Sequence, residues 1–108
     1  MKKGDIVLVS YPFTDLSAKK FRPALVLVLE DDDGDLILAF ITSAVTKKSR
    51  FDIEILKGKS GLHKDSVLKL KKIMTIHKSL IAGKIGSISQ EQLKFVENSL
   101  SEMFGIGF

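Results

Sequence analysis

The sequence predicts a mainly β, α+β domain: a small, mostly antiparallel barrel of short strands with one C-terminal α-helix packed against it. Three observations carry this. Short apolar runs recur between residues 6 and 76, separated by Gly, Pro, Asp, Ser and Lys, the spacing of strands joined by turns. From Ser79 the pattern changes, and Leu93, Val96, Leu100 and Met103 fall on one face at helical spacing. A chain of 108 residues is the size of one domain, 1–108, able to bury roughly 60–70% of its unfolded surface.

Taken in order, Ile6 to Tyr11 reads as the first strand and Pro12 to Lys20 as a loop. Ala24 to Leu29 is continuously apolar, which predicts a second strand buried on both faces. Asp33-Gly34 marks a tight hairpin, and Leu36 to Ile41 is a third strand ending at Thr42-Ser43. A basic loop, Thr46 to Arg50, follows. Then Phe51, Ile53 and Ile55 alternate with Asp52 and Glu54, the mark of a half-exposed strand. Gly58 and Gly61 bracket a turn. Ser66 to Leu70 and Ile73 to Ile76 read as two short strands or one bent one, and Lys78 to Ile81 as a helical turn. Ser89 with Gln92 makes a capping box. The helix is expected from Gln90 to Phe104, stopping at Gly105 as its C′ residue.

With no cysteine, disulfides and thiolate metal sites are excluded. No apolar run reaches the ~18–20 residues that span a bilayer, and the N-terminus lacks a signal-peptide pattern. A cytoplasmic protein without a membrane partner is expected. Lys and Arg number 17 against 13 Asp and Glu, a net charge of +4. The basic clusters at 19–22, 47–50, 57–59 and 69–72 make a phosphate-backbone footprint if they share a face, and solvated loops if they do not.

Several motifs fail on their chemistry. Gly58-Lys59-Ser60 has Ile53 where a phosphate loop needs its first glycine. The acidic run 30–35 lacks EF-hand spacing and is better explained as a turn. His63 and His77 have no spaced ligand partners, so no metal is expected. No Ser-His-Asp order or nucleophile elbow is present.

Phe21-Arg22-Pro23 is the sequence's most suggestive stretch. Proline biases the preceding residue towards extended backbone and suits a strand's first residue or an edge. Arg22 is therefore expected at the mouth of the second strand, a planar charged fork suited to phosphate or carboxylate. The alternative is a solvated arginine in a surface ion pair.

Gly4-Asp5-Ile6-Val7, Arg22-Pro23-Ala24-Leu25-Val26-Leu27 and Ala39-Phe40-Ile41-Thr42-Ser43 carry a resemblance. So do Gly61-Leu62, Lys64-Asp65-Ser66-Val67, Thr75-Ile76-His77-Lys78-Ser79-Leu80 and Lys84-Ile85-Gly86. Together, and in this order, they resemble the MazF/PemK family of toxin endoribonucleases over nearly the whole chain. The resemblance implies an SH3-like barrel, a homodimer, and metal-independent, cofactor-free cleavage of single-stranded RNA. It also implies a cognate antitoxin whose acidic, disordered tail occupies the RNA groove. The family's catalytic arginine and threonine map onto Arg22 and Thr42.

Some relatives carry an arginine and an aspartate where Met74 and His77 stand here. His77 is therefore a candidate base, or else a surface histidine. Lys20, Ser43, Lys47, Lys48 and Arg50 are RNA-contact candidates. Phe13 and Phe21 are candidates for base stacking and equally for core anchors. Two other readings stay open: a CcdB-like poison of DNA gyrase on the same barrel, and an RNA-binding member that has lost cleavage.

Overall fold

The computed structural model describes residues 1–11, 20–29, 32–44 and 48–107, with Tyr11 described by its backbone alone. Six strands form one antiparallel sheet: β1 (Asp5–Tyr11), β2 (Lys20–Val28), β3 (Asp35–Thr42), β4 (Asp52–Ile55), β5 (Ser66–His77) and β6 (Ile81–Ser87). Their order across the sheet is β4-β5-β3-β2-β1-β6. A short 3₁₀ turn (Lys78–Leu80) joins β5 to β6, and the helix α1 (Gln90–Phe104) ends the chain.

Residues 24–27 of β2 and 36–41 of β3 are apolar without a break because both faces are covered, whereas Val28 and Leu29, which end the run expected to be buried, are exposed. On one face Ile6, Leu25, Ile41, Leu68 and Leu70 pack with Leu93 and Val96 of α1. On the other, Val7, Val9, Ala24, Val26, Leu36, Leu38 and Ile76 form a second cluster, with Phe40 and Met74 partly buried against it. The sheet bends into the expected barrel-like form. In β5 the pairing with β3 jumps from Ile73 at Ala39 to Lys69 at Phe40, so residues 70–72 are extra and the strand is one bent strand.

Two backbone approaches draw the edges together. Gly61 has φ 84°, and a Cβ built on it would lie 1.9 Å from the Ile85 carbonyl oxygen; one built on Gly86 would lie 1.9 Å from that of Ser60. Only glycine fits where the β4–β5 connection meets β6. A separate tie is the Gln92 side chain, whose Nε2 donates to the Glu54 carbonyl at 3.1 Å, fixing the start of α1 to β4.

Both helix ends stand where the sequence puts them. Ser89 Oγ accepts from the Gln92 backbone N–H at 3.0 Å, and Gly105 closes the helix at φ 71°. The capping box is half-formed, because the Gln92 side chain serves Glu54 instead. Phe104 and Ile106 are both 62% exposed, so in the single chain neither packs on the barrel.

Elsewhere the structure departs from the expectation. β2 starts at Lys20, so Arg22-Pro23 lies inside the strand rather than at its mouth, and Pro12 to Lys19 of the expected loop lie outside the described residues. Arg22 pairs with Val9 and Pro23 with Leu8, while the ladder to β3 opens only at Ala24↔Phe40. The proline thus sits where β2 has a neighbour on one side alone. The β2–β3 connection spans residues 29–34, longer than a two-residue hairpin. Asp33 Oδ1 accepts from the Asp35 N–H at 2.9 Å, and Gly34 takes φ 76°. Finally, β6 was not expected, since Gly83 and Gly86 dilute its strand signal.

Candidate active site

Strand register brings Arg22 and Thr42 together. Ala24 and Phe40 are paired across β2 and β3, and both belong to the second apolar face. Two residues further along each strand, in the same direction, stand Arg22 and Thr42. Side chains alternate along a strand, so these two neighbour each other on that face, just beyond the apolar cluster.

Arg22 and Thr42 line two adjoining cavities. The larger, about 630 Å³, is also lined by Phe40, Lys69, Lys72 and Met74. The smaller, about 390 Å³, adds Phe21, Ser43, Gly61, His63, Lys64 and Ser66. Among the described residues no Asp or Glu lines either cavity. The pair forms the ridge between two cationic basins. Thr42 Oγ1 accepts from the Ala44 backbone N–H at 3.2 Å, which turns the chain at the end of β3. Accepting that bond leaves the hydroxyl's own proton to be donated.

Lys69 is held from behind. Its Nζ lies 2.8 Å from Asp52 Oδ2, with the Asp52 side chain only 3% exposed. The same oxygen accepts from the Ser49 N–H at 2.8 Å. Burial pushes the Asp52 carboxyl up, but the Lys69 ammonium and the Ser49 hydrogen bonds outweigh it and hold the carboxyl below its usual value. The alternation in β4 predicts Asp52 and Glu54 on one solvent face. Glu54 is exposed, whereas Asp52 is covered by Lys69, which stands opposite it on β5.

The remaining candidates are scattered. Phe21, 42% exposed, and Ser43 line the smaller cavity. Lys20 is exposed at the start of β2 and lines neither. Lys48 pairs with Glu54 at 3.1 Å; Arg50 pairs with Glu102 and lies over the Phe51 ring, 4.9 Å from its centroid. Both basic residues are thus engaged on the surface, away from the cavities, in exposed pairs of small energetic weight. Phe13 and Lys47 lie outside the described residues.

His77 is not brought to the ridge. It pairs with Asp35, at the opposite end of the eight-residue β3 from Thr42, roughly 23 Å away at the usual strand rise. Its Nδ1 accepts from the Ser79 N–H at 3.1 Å, capping the 3₁₀ turn. The imidazole that does line a cavity with Arg22 and Thr42 is His63. Lys69, Lys72, His63 and Lys64 are the residues that sequence reasoning left out of the site. The basic cluster at 69–72 was visible, but the bulge that aims two of its lysines at one cavity was not. Among the described residues no three His, Cys, Asp or Glu gather as metal ligands, and no helix is long and apolar enough to cross a membrane.

Fold and site define a barrel-like β protein with a basic cleft of the kind that suits phosphate groups. Residues 2–104 match the family described as PemK-like, MazF-like toxin of type II toxin-antitoxin system. The chain belongs to this family. It is 31% identical to the endoribonuclease MazF of Staphylococcus saprophyticus, over 98% of this chain and 92% of that protein. Two solved structures share its fold. A MazE-MazF structure from Deinococcus radiodurans gives a TM-score of 0.79 at 17% identity, covering 99% of this chain and 97% of that one. The Mycobacterium tuberculosis toxin MazF-mt6 gives 0.77 at 20% identity, covering 96% and 99%.

Proposed function

We propose that this toxin is a metal-independent endoribonuclease acting on single-stranded RNA. The observation that carries the reading is the Arg22–Thr42 ridge between two cation-lined basins, with no carboxylate among the described residues that line them. In the reaction, a ribose 2′-oxygen bonds to the adjacent phosphorus and the bond from phosphorus to the 5′-oxygen breaks. The products are a 2′,3′-cyclic phosphate and a 5′-hydroxyl. Negative charge builds on the non-bridging oxygens as the 2′-oxygen attacks. Arg22, a permanent cation with a planar fork, binds two such oxygens at once and stabilises them. Thr42 donates its hydroxyl proton to the same oxygens or orients the 2′-hydroxyl. His63 accepts the 2′-hydroxyl proton, and the departing 5′-oxygen takes a proton from water.

Phe21 and Ser43, which line the smaller cavity, contact a base next to the cut, Phe21 by stacking. Two copies of the chain pair as a homodimer, and the toxin works in the cytoplasm. An antitoxin with an acidic, extended tail competes with RNA for the same cations, the partnership that the Deinococcus MazE-MazF structure names for its own chains.

The test is cleavage of a long single-stranded RNA beside the same RNA carrying 2′-O-methyl groups throughout. Cutting of the first alone, leaving 5′-hydroxyl ends, is expected. Cutting of both would exclude attack by the 2′-hydroxyl, and binding without cutting would make the chain an RNA-binding protein.

A further inference from the structure

The larger cavity holds a feature that cleavage at Arg22 and Thr42 does not use. Lys69 lines its wall with its ammonium fixed against a buried carboxylate, and Lys72 lines the same wall across the bulge. Asp52 is fixed in turn: the Ser49 N–H donates to it, and its own N–H donates to the Ser49 carbonyl at 3.1 Å. An ammonium has three donors and one salt bridge occupies one of them. A free lysine loses much rotamer freedom when it grips a ligand; one already immobilised has lost it in folding, which is preorganisation. Lys69 stands opposite Phe40, and Phe40 opposite Ala24, so it is across the sheet from Arg22 and slightly displaced along it. From one row across three strands, spaced about 4.8 Å apart, long side chains reach neighbouring groups of one extended ligand.

Resting on the reading of the cleft as an RNA site, we propose that Lys69 binds a phosphodiester next to the scissile one, with Lys72 beside it, and that Asp52 is its positioning residue. The ligand class is the backbone of single-stranded nucleic acid, and the contact is independent of base identity. It is made alike before and during reaction, so it acts on KM and leaves kcat alone.

The sign of the Asp52→Asn effect separates positioning from charge. This substitution keeps the shape and adds one positive charge. Through charge alone it would tighten RNA binding. Through loss of positioning it raises KM roughly threefold to tenfold with kcat unchanged. Lys69→Gln removes one phosphate contact, so the slope of log affinity against log salt falls by about 0.7, measured with a 2′-O-methyl oligonucleotide that cannot be cut. Lys69→Gln leaves Asp52 buried and unpaired, so the double variant Asp52→Asn/Lys69→Gln is measured beside it and loses the same slope. Wild-type slope in the double variant, or an unchanged or lowered KM in Asp52→Asn, overturns the subsite while leaving the nuclease standing. Failure of the wild type to bind or cut RNA overturns both.

Discussion

Three glycine-to-alanine substitutions separate backbone strain from steric overlap where the sheet edges meet. Gly58 has φ 103° and open space around its Cα, so Ala there costs strain alone, about 1–2 kcal/mol. Gly86 lacks the positive φ but would place its Cβ 1.9 Å from the Ser60 carbonyl oxygen. Ordinary carbon–oxygen contact begins near 3.3 Å, so two backbone segments must part by about 1.4 Å, and overpacking of this kind costs about 1–3 kcal/mol or more. Gly61 combines both, with φ 84° and its Cβ 1.9 Å from the Ile85 carbonyl oxygen, so Gly61→Ala should cost about 2–5 kcal/mol. Urea unfolding of the three variants gives these values directly. The double variant Gly61→Ala/Gly86→Ala should cost less than the sum, because the first opens the gap that the second needs. Gly61 also lines the smaller cavity beside His63, so its variant loses RNA cleavage as well, whereas Gly58→Ala does not. Equal costs at Gly58 and Gly61 would refute the contact between the β4–β5 connection and β6.

Other outcomes follow from the same geometry. The Asp52 carboxyl is held below its usual 3.8 by Lys69 and Ser49, so its stabilisation is complete above about that pH and is lost as pH falls through the folded value. Wild type should therefore be more stable than Asp52→Asn at neutral pH, and the two urea midpoints should converge as pH falls below 3.8; a constant gap would contradict this. His63→Gln should cut the cleavage rate, while His77→Gln leaves it alone and costs about 0.5–1.5 kcal/mol through the lost turn cap. The reverse pattern would move the proton acceptor to the far end of the sheet. RNA affinity should fall steeply with salt, and an acidic peptide should displace RNA competitively; a flat salt response would contradict a phosphate-binding cleft.

The parts legible in the sequence were those fixed by local chemistry. Ser89 and Gly105 mark both ends of α1 because capping is a contact within one turn. The unbroken apolar runs of β2 and β3 announce two covered faces. What stayed hidden depends on partners distant in sequence. Pro23 looks like a strand start, yet β1 extends the pairing three residues before it. Alternation places Asp52 on the far side of β4, but only the register with β5 puts Lys69 over it. The glycines of β6 that weaken its strand signal are there partly because Gly86 meets the Ser60 carbonyl. Arg22 stands out from Phe21-Arg22-Pro23 itself, and the resemblance adds Thr42 as its catalytic partner. Their adjacency follows from the pairing of Ala24 with Phe40, which no local pattern contains. That His63 rather than His77 lines a cavity with Arg22 and Thr42 likewise needs the fold, because only the fold shows which end of the sheet each adjoins.

The central claim, that Arg22 and Thr42 are the centre of a metal-independent nuclease, is tested most directly by RNA cleavage in EDTA. Wild type, Arg22→Ala, Arg22→Lys and Thr42→Ala would be compared after urea unfolding has shown each to be folded. Discrete fragments with 5′-hydroxyl ends are expected from wild type, with losses of at least about 10²-fold for both Arg22 variants, because a lysine cannot reproduce the two-pronged contact. Thr42→Ala should be impaired as well. Undiminished cutting by the Arg22 and Thr42 variants, or cutting abolished by EDTA in the wild type, would contradict it.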